Sequence, residues 1–221
     1  MLEAKKSAWF ESIFAIYNRN LLKRRFNSLQ ISGLDVLRKK SPDIPAIIYT
    51  NHSSWWDGLV AFQISYQVKA DSFVMMEEKH LKKMLLFRKL GAFSVVREKP
   101  FEAAKSIDYA VNLLKEKPKR VLWIFPQGEI LPNDLRPLMF YKGISKIIAK
   151  SGKCLLIPAV FRYEFLGEYK PEIFIRIGET ELFENNLKIT TEHLEYKTTL
   201  FLDKLKSDIL NKNFNEFEKI F

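Results

Sequence analysis

The segment Pro45-Ala46-Ile47-Ile48-Tyr49-Thr50-Asn51-His52-Ser53-Ser54-Trp55-Trp56-Asp57-Gly58 holds two architectural clues side by side. Pro45 to Thr50 is an unbroken apolar run with β-branched residues, the pattern of a strand buried on both faces. His52 and Asp57 follow it, five positions apart. On a continuous helix five residues turn through about 500°, which would aim the two side chains at different faces. They meet only if the chain bends between them. A strand ending at His52, a turn, and a helix starting at Asp57 supply that bend, and an aspartate suits a helix N-terminus. The carboxylate then orients one imidazole nitrogen and leaves the other free to take a proton.

The pattern repeats outward from there. Asp57 to Val68 reads as a helix, Ser72 to Met76 as a strand and Glu78 to Leu90 as a helix, with Gly91 where a helix C-terminal glycine belongs. Ala92 to Val96 reads as a strand. Pro100 to Lys117 reads as a helix, with Pro100 in its first turn and Pro118 beyond its end. Val121 to Phe125 is a strand, Lys142 to Lys150 a helix, Leu155 to Phe161 and Ile173 to Ile177 strands, and Thr191 to Leu210 a final helix. This alternation predicts a single α/β domain with a mostly buried central mixed sheet flanked by helices. Catalytic groups in such folds sit in loops just after strands.

The 221 residues carry 36 Lys+Arg against 26 Asp+Glu, a formal net charge of +10, with 47% hydrophobic and 14% aromatic residues. That composition builds a packed core and excludes a disordered tail or a fibrous repeat. Cys154 is the one cysteine, which excludes an internal disulfide or a cysteine-based metal site. No secretory signal is expected from the first residues, where Glu3, Lys5, Lys6 and Glu11 interrupt any apolar run. The longest charge-free window, Ile44 to Trp56, falls short of the roughly 18 apolar residues of a membrane-spanning helix.

The positive surplus favours an anionic partner. No zinc-finger spacing, RNP-like aromatic motif or basic heptad region accompanies it, so nucleic acid is not expected. Between Ala8 and Leu22, Ala8, Trp9, Ile13, Ile16 and Tyr17 recur at three- and four-residue steps, broadened by Phe10, Phe14, Leu21 and Leu22. Arg19, Lys23, Arg24 and Arg25 follow. An aromatic helix with a basic end lies in a lipid headgroup layer, whereas an ordinary helix packs its stripe on the domain core. The first reading makes residues 1–26 an amphipathic membrane-contacting helix ahead of a domain over 27–221.

Four segments carry a resemblance. Asn-His-X4-Asp after an apolar strand resembles the first block of the glycerolipid acyltransferase superfamily, that of the lysophosphatidate acyltransferases. Leu90-Gly91-Ala92-Phe93-Ser94-Val95-Val96-Arg97 is similar to the second block. Phe125-Pro126-Gln127-Gly128-Glu129-Ile130 is similar to the third, usually Phe-Pro-Glu-Gly-Thr-Arg, and Leu156-Ile157-Pro158-Ala159-Val160 to the fourth. The four stand in the family's order over about residues 45 to 161. A lone His-X4-Asp is weak; four blocks in order are specific.

The resemblance implies acyl transfer from acyl-CoA or acyl-carrier protein to the free hydroxyl of a lysolipid, 1-acylglycerol-3-phosphate first among them, at the inner face of a membrane and from the cytoplasmic side. No metal or bound cofactor is implied. His52 would be the general base and Asp57 its orienting partner. Backbone N–H groups of the third-block loop, Gln127, Gly128 and Glu129, would face the oxyanion, and Arg97 would hold an acceptor phosphate. The third block departs from the family pattern at Gln127, Glu129 and Ile130, the last in place of an arginine. Arg136 and Lys142 are the candidates to replace it. That departure leaves open a different acceptor, such as a glycolipid, an isoprenoid-derived alcohol or another lysolipid. A non-catalytic basic membrane-binding module is the reading from another class.

Simpler roles compete for several residues. His80 and His193 lie in charged helical runs and read as solvated. Trp55 and Trp56 line an entrance or fill an interface. Gly128 allows a tight turn, and Cys154 is a buried, inert thiol.

Overall fold

The computed structural model describes residues 1–184 and 189–221. Helix α1 (Ala8–Arg25) leads into β1 (Leu29–Ser32), the short α2 (Leu34–Arg38), β2 (Ala46–Thr50), α3 (Asp57–Gln67), β3 (Asp71–Glu77) and α4 (Glu78–Lys83). A 3-10 helix (Leu85–Leu90) precedes β4 (Ala92–Val95), α5 (Pro100–Glu116), β5 (Arg120–Ile124), α6 (Gly143–Ser151) and β6 (Cys154–Glu164). Then come β7 (Glu172–Ile177), β8 (Glu181–Phe183), α7 (Thr191–Leu210) and β9 (Phe217–Lys219).

Among the described residues these strands form one mixed sheet in the order β4-β3-β5-β2-β6-β7-β1-β9. β4, β3, β5, β2 and β6 run parallel, β7 is antiparallel to β6, and β1 is parallel to β7. β6 is long enough to take two partners on one side. Its first residues, Cys154 to Leu156, pair β8, and Ala159 to Glu164 pair β7.

β2 shows why its sequence is apolar without alternation. Ala46 and Ile48 pack with Val60, Ala61 and Ile64 of α3 and with Leu22 of α1. Ile47 and Tyr49 face the opposite layer, with residues of α5, α6 and α7 such as Leu114, Ile147 and Leu202. A strand covered on both faces has no solvent side to mark.

The sequence reading of the element order holds from β2 to α7, with two differences. The helix expected over Glu78 to Leu90 breaks at Met84, whose non-helical backbone (φ −131°, ψ 54°) separates α4 from the 3-10 turn. Strands β1, β8 and β9 and helix α2 carry no expectation from the sequence. Each is short, and the strands exist only through distant partners, β1 beside β7 and β9 beside β1.

α1 is packed onto the domain. Asn18, fully buried, donates from Nδ2 to Leu59 O (2.9 Å) and to Gln63 Oε1 (3.1 Å) on α3. Phe14 meets Phe62 and Phe87 edge to face. The other side of the same helix leaves Trp9, Ile13, Ile16 and Tyr17 about 60% exposed. Among the described residues no helix is long and apolar enough to cross a membrane.

Candidate active site

The loops after the parallel strands β2 and β5 meet beside the second half of β6. At the end of β2, buried Asn51 extends the pairing with β6 through its side chain. Its Oδ1 accepts from Phe161 N (2.8 Å) and its Nδ2 donates to Phe161 O (3.0 Å) and to Asn133 Oδ1 (2.7 Å). The next residue is held by the loop after β5. His52 N donates to Gln127 Oε1 (2.6 Å), His52 O accepts from Leu131 N (2.9 Å), and the imidazole lies 4.7 Å from the Phe125 ring, centroid to centroid.

The chain then folds back through Ser53 to Trp56, and Asp57 N donates to Ser54 O at 3.2 Å. Asp57 opens α3, where the helix N-terminus favours a carboxylate. Its side chain is fully buried, yet both oxygens are hydrogen-bonded. Oδ2 accepts from Ser53 N (2.8 Å) and Ser54 N (2.9 Å) and sits 2.8 Å from His52 Nδ1. Oδ1 accepts from the Tyr163 hydroxyl at 2.6 Å. A buried carboxylate satisfied on this scale stays where the fold puts it. Among the described residues His52 Nε2 has no hydrogen-bond partner, and the side chain is 22% exposed. The geometry therefore fixes the imidazole by one nitrogen and presents the other.

The loop after β5 lies against the first block. Gly128 adopts φ +67°, in the left-handed region, and its N–H donates to Phe125 O at 3.0 Å. A Cβ on Gly128 would stand 2.3 Å from Arg97 Nη1, so the backbone favours glycine here and any side chain would displace the guanidinium beside it. Arg97, just past β4, also lies over the Tyr141 ring (5.0 Å) and donates to Glu77 Oε2 at 3.3 Å. Its buried Nε has no partner among the described residues. Burial alone would raise the Glu77 carboxyl, but the Lys79 hydrogen bond and the Arg97 charge hold it below the usual range.

The sequence candidates thus divide. His52, Asp57, Gln127, Gly128 and Arg97 are linked by contacts: His52 to Asp57 and Gln127, and Gly128 to Arg97. Gly128 N–H is committed to its own turn, so it is not a donor for a developing oxyanion. Gln127 turns its side-chain oxygen to the His52 backbone, which makes it a brace of the first block. Glu129 is exposed at the rim. Among the described residues Arg136 bonds none of these. Its guanidinium bonds Asn133 O (2.7 Å), Leu135 O (2.9 Å) and Asp203 of α7, because that loop folds against the C-terminal helix. Lys142 is exposed ahead of α6, and its charge acts on Glu192 at the start of α7.

Tyr163 was not among the sequence candidates. It lies beyond the fourth block, on the same alternating face of β6 as Ala159 and Phe161, and only a strand extended to Glu164 exposes that register. Burial lifts its phenol well above the usual tyrosine range, and the adjacent Asp57 charge adds to the rise.

Fold and site together define an α/β protein with a histidine–aspartate pair at the carboxyl edge of a parallel sheet. The chain belongs to the Acyltransferase family, whose sequence profile matches residues 28–162. The crystal structure of the 1-acyl-sn-glycerophosphate (LPA) acyltransferase PlsC from Thermotoga maritima superposes with a TM-score of 0.65. The match covers 89% of this chain and 80% of that one at 16% identity, which establishes a shared fold. No curated protein sequence matches the chain.

Proposed function

We propose that the protein transfers a fatty acyl group from acyl-CoA or acyl-carrier protein to the free hydroxyl of a lysophospholipid, 1-acylglycerol-3-phosphate being the first candidate. The observation that carries this reading is the 2.8 Å contact of His52 Nδ1 with buried Asp57, which leaves Nε2 without a protein partner among the described residues. In this mechanism the acceptor hydroxyl gives its proton to Nε2 as its oxygen attacks the thioester carbonyl. Asp57 stabilises the imidazolium that forms. The tetrahedral oxyanion collapses, the C–S bond breaks, and the thiolate leaves, recovering the proton from His52. No acyl-enzyme is needed. Arg97 supplies the cation for an acceptor phosphate, since its fork is braced by Glu77 and Tyr141 next to the third-block turn.

A second acceptor class is favoured by one observation. Ile130 replaces the third-block arginine and Arg136 is spent on Asp203. Arg97 is then the one guanidinium against the third-block turn among the described residues, which also suits a less charged glycolipid or isoprenoid-derived alcohol.

Membrane contact through α1 fits the same reading. Its outward Trp9, Ile13, Ile16 and Tyr17 and its basic end, Lys23 to Arg25, match an acyl and headgroup boundary. A thiol-release assay with acyl-CoA and a panel of hydroxyl lipids tests the chemistry. Turnover with lysophosphatidate that vanishes in folded His52→Ala supports the reading, and turnover that survives His52→Ala refutes it. Sedimentation with anionic vesicles tests the surface. Substituting Ile13 and Ile16 by Asp, both outside the core, lowers partitioning if α1 docks, and equal partitioning rejects docking.

A further inference from the structure

We infer that Tyr163 is a positioning residue for the His52–Asp57 pair, its hydroxyl setting both the aim of the carboxylate and the strength with which it holds the imidazolium. This inference rests on the proposed role of His52 as base. Asp57 has two oxygens with different duties. Oδ2 is taken by two backbone N–H groups and the imidazole, while Oδ1 has one donor, the Tyr163 hydroxyl at 2.6 Å. That donor comes from a distant part of the chain, at the far end of β6. The Tyr163 ring is fixed by Phe26 (5.7 Å between centroids), which in turn meets Trp56 edge to face at 5.1 Å. The phenol therefore locks the carboxylate plane from the side that the first-block loop does not reach.

Chemistry follows from the charge. A phenol donating to Oδ1 draws negative charge away from Oδ2 and weakens the pull on the imidazole proton. Removing it concentrates that charge and stabilises the imidazolium, so the base is neutralised only at a higher pH. Other charged groups on the surrounding elements do not bond the pair. On β6, Arg162 and Glu164 alternate to the opposite face and bond each other, and Arg162 also bonds Asp134. Asp134 in the loop after β5 takes Lys206 of α7 as well, Glu129 is exposed, and Arg97 beyond β4 is paired with Glu77.

The test uses the full chain with acyl-CoA and lysophosphatidate and an independent NMR titration of the imidazoles, His52 being assigned by loss of its signal in His52→Gln. In Tyr163→Phe the His52 titration and the acid limb of kcat/KM should both move up by about half a pH unit, and kcat should fall about tenfold. The KM for acyl-CoA should hold. Site-specific 3-fluorotyrosine at position 163 retains the ring and hydroxyl with a more acidic phenol, and it should move the titration down. It also covers the case in which Tyr163→Phe does not fold. A titration that stays in place in either folded variant overturns the inference, even if kcat falls, because a purely structural residue would do that. The NMR readout needs no turnover, so it separates this failure from a wrong reading of the reaction, which His52→Ala reports.

Discussion

Replacing Gly128 by alanine tests how the third-block turn and Arg97 depend on each other. The new Cβ would stand 2.3 Å from Arg97 Nη1, 3.0 Å from Cζ and 3.2 Å from Tyr141 Cδ2. The guanidinium is the flexible member, so it retreats by about 1 Å to reach ordinary contact. The backbone meanwhile keeps φ +67°, which costs a residue with a Cβ about 1 kcal/mol. For a domain of this length that corresponds to a fall of about 2–4 °C in Tm. The functional cost is larger. A charge-assisted contact to an acceptor phosphate contributes about 1.5–3 kcal/mol, so kcat/KM for lysophosphatidate should drop about 10- to 100-fold. The drop should be much smaller with an uncharged hydroxyl lipid. Thiol-release kinetics against both acceptors, beside Arg97→Ala, provide the measurement. If Tm falls as expected while kcat/KM for lysophosphatidate stays within twofold, Arg97 does not hold the acceptor and the reasoning fails.

Three further outcomes are expected. Burial pushes the Cys154 thiol up to about 12 and leaves it without exposure, so a thiol reagent at pH 8 should label the native protein only on the timescale of unfolding; rapid stoichiometric labelling would show that β6 opens at its start. Hydrogen bonds from Arg162 and then Lys206 hold Asp134 down at about 2, against an ordinary value of 3.8. A depressed carboxyl stabilises the fold above its unfolded value, and that contribution disappears as pH falls from about 4 toward 2. Asp134 is largely exposed, so the effect is below about 1 kcal/mol, and Asp134→Asn should flatten the matching slope in urea midpoints measured over that interval. Finally, the Tyr49 hydroxyl is buried in β2 with no partner among the described residues, and burial raises its phenol. Tyr49→Phe should leave stability unchanged or raise it by up to about 1 kcal/mol in chemical denaturation; a clear loss would mean that the hydroxyl is bonded in solution.

Much of the architecture was legible because the strong signals are local. The apolar run 45–50, the glycine after the 3-10 turn and the prolines bracketing α5 each state a backbone preference that neighbours reinforce. The break at Met84 was not legible, since the residues of α4 and the 3-10 turn read as one helical run and the interruption comes from docking against β4 and α1. The edge strands escaped for a related reason. Leu29 to Ser32 becomes a strand only because β7 lies beside it, more than a hundred residues along the chain.

The site divides in the same way. In the sequence, residue type and spacing placed His52 and Asp57 around a bend, and the resemblance to the family's four blocks marked Arg97 and the Gly128 turn. Tertiary structure decided which of the basic candidates lies against the third-block turn. It sent Arg136 to Asp203 and brought Arg97 over Gly128. It also turned Gln127 onto the His52 backbone and supplied Tyr163 from the far end of β6. These outcomes depend on where separate strands end relative to one another. Spacing along the chain does not encode that, whereas the register of a packed sheet does.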